Sequence, residues 1–287
     1  MFLPIQNLSW IASVLDENQI PHVLGWDASS VVLGVPYGPD ETQFIIEDDY
    51  LSAAMDLASN AGFVRCTDGA CRVNHQETHS TQIPDGHFHT ETFGGTVIFM
   101  YKKSLTCWGL PDLPVQAPDA NDRNFMLSND PRLPTNWVPE FPPIKILTWV
   151  GLIETLILLQ CRDVDHLNDM ETSWSSHFYS LHIRRGPSPV NETDLQPHFR
   201  PFWRLYMSEL RPETWPGVAL QDARRRLRLR LLADGNMPPP PDTIAFPDPA
   251  NMEIRRRFPY LTLDPELARD RKYRLLTLDP ELRRSDT

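Results

Sequence analysis

Leu8, Ile11, Val14 and Leu15 recur at helical spacing, which predicts an amphipathic helix over residues 7–18. Ile20-Pro21 ends it, because a proline ring disfavours helical backbone in the residue before it. His22–Leu24 reads as a short strand and Gly25 as a turn. Residues 28–33 suit two helical turns closed by Gly34, and residues 42–46 form an apolar-rich strand. Asp48 and Asp49 stand as an N-cap pair before a helix predicted over 50–61, whose Leu51, Ala54, Met55 and Ala58 share one face. Gly62 supplies the left-handed residue after it, and residues 63–66 return to strand.

Residues 67–91 are polar, histidine-rich and irregular. A strong strand follows at 95–102, with Thr96, Ile98 and Met100 on one side and Val97, Phe99 and Tyr101 on the other. Apolar side chains on both sides predict burial on both faces. Prolines at 111, 114, 118, 131, 134, 139, 142 and 143 make 111–143 a connector or extended wrap. The longest apolar run, 144–162, is predicted as a helix at the centre of a helical region over 144–236. Further helices are predicted at 163–177, 199–210 and Val218–Ala233. Four prolines in a row make 237–242 a stiff linker into a tail over 237–287. That tail repeats Leu-Thr-Leu-Asp-Pro-Glu-Leu at 261–267 and 276–282, too few copies for a solenoid.

Composition narrows this picture. A chain of 287 residues with 41% apolar content fits one large domain or two small ones with an ordinary core. Charge is unevenly spread: residues 1–221 hold 13 basic and 27 acidic side chains, and residues 222–287 hold 14 and 11. An acidic body argues against general nucleic-acid binding, which needs a basic face. The run at 144–161 is broken by Lys145, Glu154 and Gln160, so no membrane span is predicted. No basic n-region precedes the first apolar residues, so no secretory signal is expected. A soluble intracellular protein follows as the expectation, cytoplasmic by default and nuclear as the alternative. The four cysteines do not demand a disulfide framework at this length.

Several residues could carry chemistry. Cys66, Cys71, His75 and His79 approach zinc-ligand spacing, and four ligands is the number a closed structural site needs. His87 and His89 alternate on what could be a strand and so face the same way. Joined to the cysteines, they would allow an open site, and hydrogen bonding within the fold is the simpler role for them. Residues 224–232 interleave five arginines with leucines, as in a surface helix whose arginine stems cover the core. Such a helix can also meet lipid or nucleic acid, and Arg255-Arg256-Arg257 adds a second cluster suited to nuclear import. Serine-hydrolase, phosphate-loop, dinucleotide and zincin signatures are all absent.

The order helix, strand, glycine turn, helix, strand, helix, strand, strand resembles the start of the nucleotidyltransferase fold. More narrowly, it resembles a set of fungal nucleotidyltransferase-like proteins. The matching residues are Ile20-Pro21-His22, Leu24-Gly25-Trp26, Leu33-Gly34-Val35-Pro36, Phe44-Ile45-Ile46-Glu47-Asp48 and Ala61-Gly62-Phe63. His87-Phe88-His89, Ile146-Leu147 and Cys161-Arg162-Asp163 extend the match, which covers roughly residues 5–165. The resemblance implies an α/β protein whose residues 1–110 form a nucleotidyltransferase-like domain with a mixed sheet, followed by a helical, proline-rich C-terminal half.

In active members of that superfamily a Gly-Gly or Gly-Ser turn cradles the triphosphate, and an Asp-x-Asp strand binds magnesium. Here the turn is Gly25-Trp26, Glu41 matches the first acidic position, and Gln43 replaces the second. The strand at 95–102 carries no carboxylate. The first expectation is therefore a catalytically degenerate member that binds a ligand, nucleotide or protein in the inherited cleft, lined by Gly25, Trp26, Glu41, Gln43, His87 and His89. The second is an active magnesium-dependent nucleotidyltransferase with Glu41 as catalytic metal ligand and further carboxylates from Asp27, Asp40 or Glu91, acting on a small molecule, RNA or protein. The third is an interaction protein working through its arginine-rich C-terminal region.

Overall fold

A computed structural model describes residues 5–35, 41–71, 73, 83–89, 97–134, 137–163, 170–183, 190–209 and 218–237. Of these, the residues within 1–74, 84–156 and 177–194 form one compact unit, and those within 75–83, 157–176 and 195–287 form another.

The first unit holds a mixed, seven-stranded sheet. Its elements begin with α1 (Ile5–Glu17), β1 (His22–Leu24), α2 (Trp26–Val32), β2 (Glu41–Ile46) and α3 (Leu51–Asn60). They continue through β3 (Val64–Arg65), β4 (Gly86–His89), β5 (Val97–Lys102), the single turn α4 (Lys103–Thr106), β6 (Phe125–Leu127) and β7 (Lys145–Leu147). The strand order is β3-β4-β5-β2-β1-β7-β6. β2 runs antiparallel to β1 and parallel to β5, while β1 runs parallel to β7. The two ends of the sheet are antiparallel pairs, β3 with β4 and β6 with β7.

Pleat alternation divides this sheet into two faces. In register, His87 lies opposite Phe99, Phe99 opposite Gln43, and Ile45 opposite Tyr101. These residues share one face, where the Trp26 ring of α2 packs tilted against Tyr101 with ring centroids 5.3 Å apart. Phe88, Ile98, Met100 and Phe44 occupy the other face, where Met55 of α3 closes on Gly86. Residues 98–101 of β5 are buried throughout, as the two-sided apolar pattern predicts.

Some expectations are corrected. The run at 144–162 is not one helix: residues 145–147 form β7, and α5 begins at Trp149 and ends at Asp163. Thr148 separates them as an N-cap, its Oγ1 accepting from the Gly151 N–H at 3.1 Å. The connector contains a strand, β6, and the polar stretch 67–91 contains β4. Asp48 does not cap α3, since that helix has no side-chain cap. Its carboxylate instead accepts from the Ser104 N–H at 3.0 Å, at the start of α4. Gly62, with φ +98, does take the left-handed position after α3.

A buried polar cluster ties α1 to β1 and β7. Lys145, 2% exposed, reaches Asp16 at 2.7 Å and donates to the carbonyls of Pro114 and Val115. His22 is fully buried, with Nδ1 2.8 Å from the Ile20 carbonyl. Burial, with the Lys145 cation nearby, lowers its pKa to about 3. The ring is therefore neutral at physiological pH, and Nδ1–H is the donor to Ile20.

The second unit is helical. It holds the end of α5, the start of α6 (Met170–Ile183), α7 (Arg200–Glu209) and α8 (Val218–Ala233). Arg162 and Asp163 form a fully buried pair at 2.7 Å, and the Trp174 indole N–H donates to Asp163 at 2.7 Å. From α8, the Arg228 guanidinium donates to the carbonyls of Cys161 and Arg162, capping the negative end of α5. Arg224 and Arg228 are buried, while Arg226 and Arg230 face solvent. The interleaved arginines thus serve packing within this unit, with their alternate members left on its surface.

Among the described residues no helix is long and apolar enough to cross a membrane. Residues 238–242 of the proline linker, the duplicated tail segment and Arg255-Arg256-Arg257 lie outside the described residues.

Candidate functional site

Gly25 sits where β1 meets α2. Its N–H donates to the Gln43 carbonyl at 2.6 Å. A Cβ at this position would stand 2.6 Å from the Gln43 Cβ, so glycine is required here by the close approach of β2. The next side chains turn inward. Trp26 is 1% exposed and belongs to the core. Ser29, buried on the same helix, donates to the Leu24 carbonyl at 2.7 Å and accepts from the Leu147 N–H at 3.3 Å.

Asp27 is 8% exposed and both of its oxygens are occupied. Gln43 Nε2 donates to Oδ2 at 2.8 Å, and His177 Nδ1 lies 2.8 Å from Oδ1. Gln43 is itself buried, and its Oε1 takes no hydrogen bond from the described residues. The amide orientation is fixed, because a flip would set an oxygen against the carboxylate.

The magnesium ions implied by the resemblance need several oxygen ligands, commonly two or more carboxylates. The described side chains at this corner do not fit them. They supply one carboxylate with both oxygens engaged, beside an amide that offers it a donor. Glu41 opens β2 opposite Val97, with its side chain outside the described residues, as are Asp40 and Glu91.

A second polar cluster forms at the β3 edge of the sheet. Its origin is register. Val64 pairs with His89 and Arg65 with Phe88, and the Cys66 N–H then donates to the His87 carbonyl at 3.0 Å. Cys66 therefore stands across from His87. The two histidines share its side of the strand, while Phe88 faces the opposite side and is fully buried. The chain then turns at Asp68, whose carboxylate accepts from the Ala70 N–H at 2.8 Å and whose carbonyl accepts from the Cys71 N–H at 3.1 Å. This turn brings Cys71 back over the strands. Cys71 Sγ lies 3.3 Å from Nε2 of both His87 and His89. One ligand atom from each of Cys66, Cys71, His87 and His89 falls within 4.8 Å of the others. His87 is buried and packs edge-on against Phe99, while His89 is exposed. With no cation present, burial and the neighbouring Cys66 thiol raise the pKa of Cys71.

His89 also borders a groove of about 840 Å³ on the same unit. Trp10 of α1, Phe63, Val64 and Phe141 give it an apolar lining. Trp10 and Val64 are more than half exposed, at 55% and 74%.

The structure thus joins Cys66 and Cys71 to His87 and His89; His75 and His79 lie outside the described residues. Gln43 and Asp27 come together, whereas Trp26 is withdrawn into the core. His177 carries no local sequence signal, for it reaches Asp27 from a helix 150 residues further on. No family profile, curated protein or solved structure matches the chain.

Proposed function

We propose that this chain is a nucleotidyltransferase-like protein that has lost nucleotidyl transfer and acts by binding. The element order α1-β1-Gly25-α2-β2-α3-β3-β4 supports the relation, being the order on which the resemblance rests. The observation that carries the loss is the closed state of the Gly25 corner. The glycine N–H is held in the sheet by Gln43, and Asp27 is occupied on both oxygens by Gln43 and His177. A triphosphate would meet a carboxylate and a buried indole where the fold needs free N–H groups and cations.

A ligand that reached this closed corner would meet an acceptor, the buried Gln43 Oε1, beside the engaged Asp27 carboxylate. These suit a ligand bearing N–H or O–H donors better than a polyanion. The arginine-rich reading is less well supported, because Arg224 and Arg228 are spent on internal packing.

The test is incubation with labelled nucleoside triphosphates, magnesium or manganese, and broad acceptor mixtures of small molecules, RNA and protein. No transfer to any acceptor, nor to the protein itself, is the expected outcome. Metal-dependent transfer that disappears in Glu41→Ala would overturn the reading.

A further inference from the structure

We propose that Cys66, Cys71, His87 and His89 hold one zinc ion in a closed tetrahedral site that fastens residues 66–71 to the edge of the sheet. The size is right. Zinc bonds of about 2.3 Å to sulfur and about 2.0–2.1 Å to nitrogen set neighbouring ligand atoms roughly 3.3–3.8 Å apart. The two sulfur–nitrogen separations at Cys71 are 3.3 Å, and all four ligand atoms lie within 4.8 Å of one another.

The ligand chemistry selects the ion. Two thiolates and two imidazoles suit zinc and disfavour magnesium or calcium, which take oxygen. Binding releases the two thiol protons to solvent, and the resulting site is neutral. Four protein ligands leave no position for water, so the ion's role is structural.

The local fold has a use for it. β3 is two residues long, both side chains are exposed, and among the described residues it pairs only with β4. So short an edge strand buries little apolar surface of its own. A metal bridging its C-terminal end, the Asp68 turn and β4 replaces the missing core. It also fixes the exposed His89 as one wall of the groove lined by Trp10 and Phe141.

A Cys66–Cys71 disulfide is the competing chemistry, and it would leave both imidazoles facing the bond with nothing to ligate. The zinc proposal stands apart from the loss of nucleotidyl transfer, since neither result bears on the other.

The experiment is elemental analysis of the full chain purified without chelator, with cobalt exchange as a second readout. About one zinc per chain is expected, as a closed four-ligand site requires. Cobalt should give the intense visible bands of a tetrahedral ion and a near-ultraviolet thiolate-to-cobalt band. Cys71→Ser and His87→Ala should lose the zinc, whereas the double variant His75→Ala with His79→Ala should keep it. Should Cys71→Ser or His87→Ala fail to fold, the cobalt spectrum of the unaltered chain decides. The proposal is overturned by a chain that holds no zinc and gives no thiolate band with cobalt. It is equally overturned by a Cys66–Cys71 disulfide in the native protein, or by zinc lost only when His75 and His79 are replaced.

Discussion

Two polar clusters occupy the same face of one sheet, and they are completed in different ways. Around Asp27, each carboxylate oxygen meets a protein donor, and the glycine N–H beside it is tied into β2. Around Cys66, soft donor atoms from two strands and a turn converge on a common point, with Cys71 Sγ 3.3 Å from both imidazole Nε2 atoms. Phe99 stands between the clusters, opposite His87 on one side and Gln43 on the other. A buried charge that is satisfied by its neighbours needs no ion, because the protein itself supplies the compensating hydrogen bonds. A set of converging thiols and imidazoles is completed from outside. The resemblance to nucleotidyltransferases directs attention to the first cluster for metal chemistry, whereas donor geometry directs it to the second.

At neutral pH the largest effect should come from breaking the Asp27 cluster. Asp27→Ala strands the buried Gln43 amide and removes the partner of His177. A loss of about 2–3 kcal/mol is expected, the usual cost of leaving a charge-paired buried group unsatisfied. Urea unfolding should report the same loss with and without chelator. At the other cluster the cost should depend on the metal. Cys71→Ser should destabilise the zinc-loaded chain but change the chelated chain by less than about 0.5 kcal/mol, within the range of ordinary surface substitutions. Equal costs in both conditions at Cys71 would erase the contrast between the clusters.

Much of this arrangement was legible in the sequence, and the parts that were not share a cause. Local periodicity located α1, α3, β5 and α8, because each carries its own apolar pattern. It missed β6 and β7, whose three-residue lengths gain stability only from pairing with distant strands. Ile144, Ile146 and Leu147 merged with the helix that follows, although Thr148 was the available stop signal. The Gly25 and Gln43 positions stood out from the sequence pattern, but the link between them came from strand pairing. The same holds at the Cys66 cluster. Spacing along the chain favoured His75 and His79 as partners for the cysteines. The β3–β4 register brings His87 and His89 to them, while His75 and His79 lie outside the described residues.

His22 is a third buried polar group, hydrogen-bonded among the described residues through Nδ1 alone, and its signature is pH dependence. The folded chain keeps this ring neutral until its pKa of about 3, while the unfolded chain binds a proton near 6.5. Between those values the unfolded state holds one more proton, so acid favours unfolding. The stability from this site is complete above pH 6.5 and is lost as the pH falls toward 3. The contribution to the slope should approach about 1.4 kcal/mol per pH unit within that window. His22→Gln should flatten the curve there and leave its slope unchanged above neutrality. A variant with the same acid limb as the unaltered chain would remove His22 from the account.

The smallest effect should separate completed from uncompleted charges in the second unit. Arg228 donates to the last carbonyls of α5, and its replacement by glutamine should cost about 1–3 kcal/mol by leaving them short of a donor. Arg226 and Arg230 lie on the same helix but face solvent, lining one groove with Phe202 and Pro201. Replacing both by glutamine keeps part of the aliphatic stem while removing two charges. Thermal and urea midpoints should therefore move by no more than about 0.5 kcal/mol. A clear loss in that double variant would mean the exposed arginines are also engaged, and the packing role assigned to alternate members of 224–230 would then extend to the whole run.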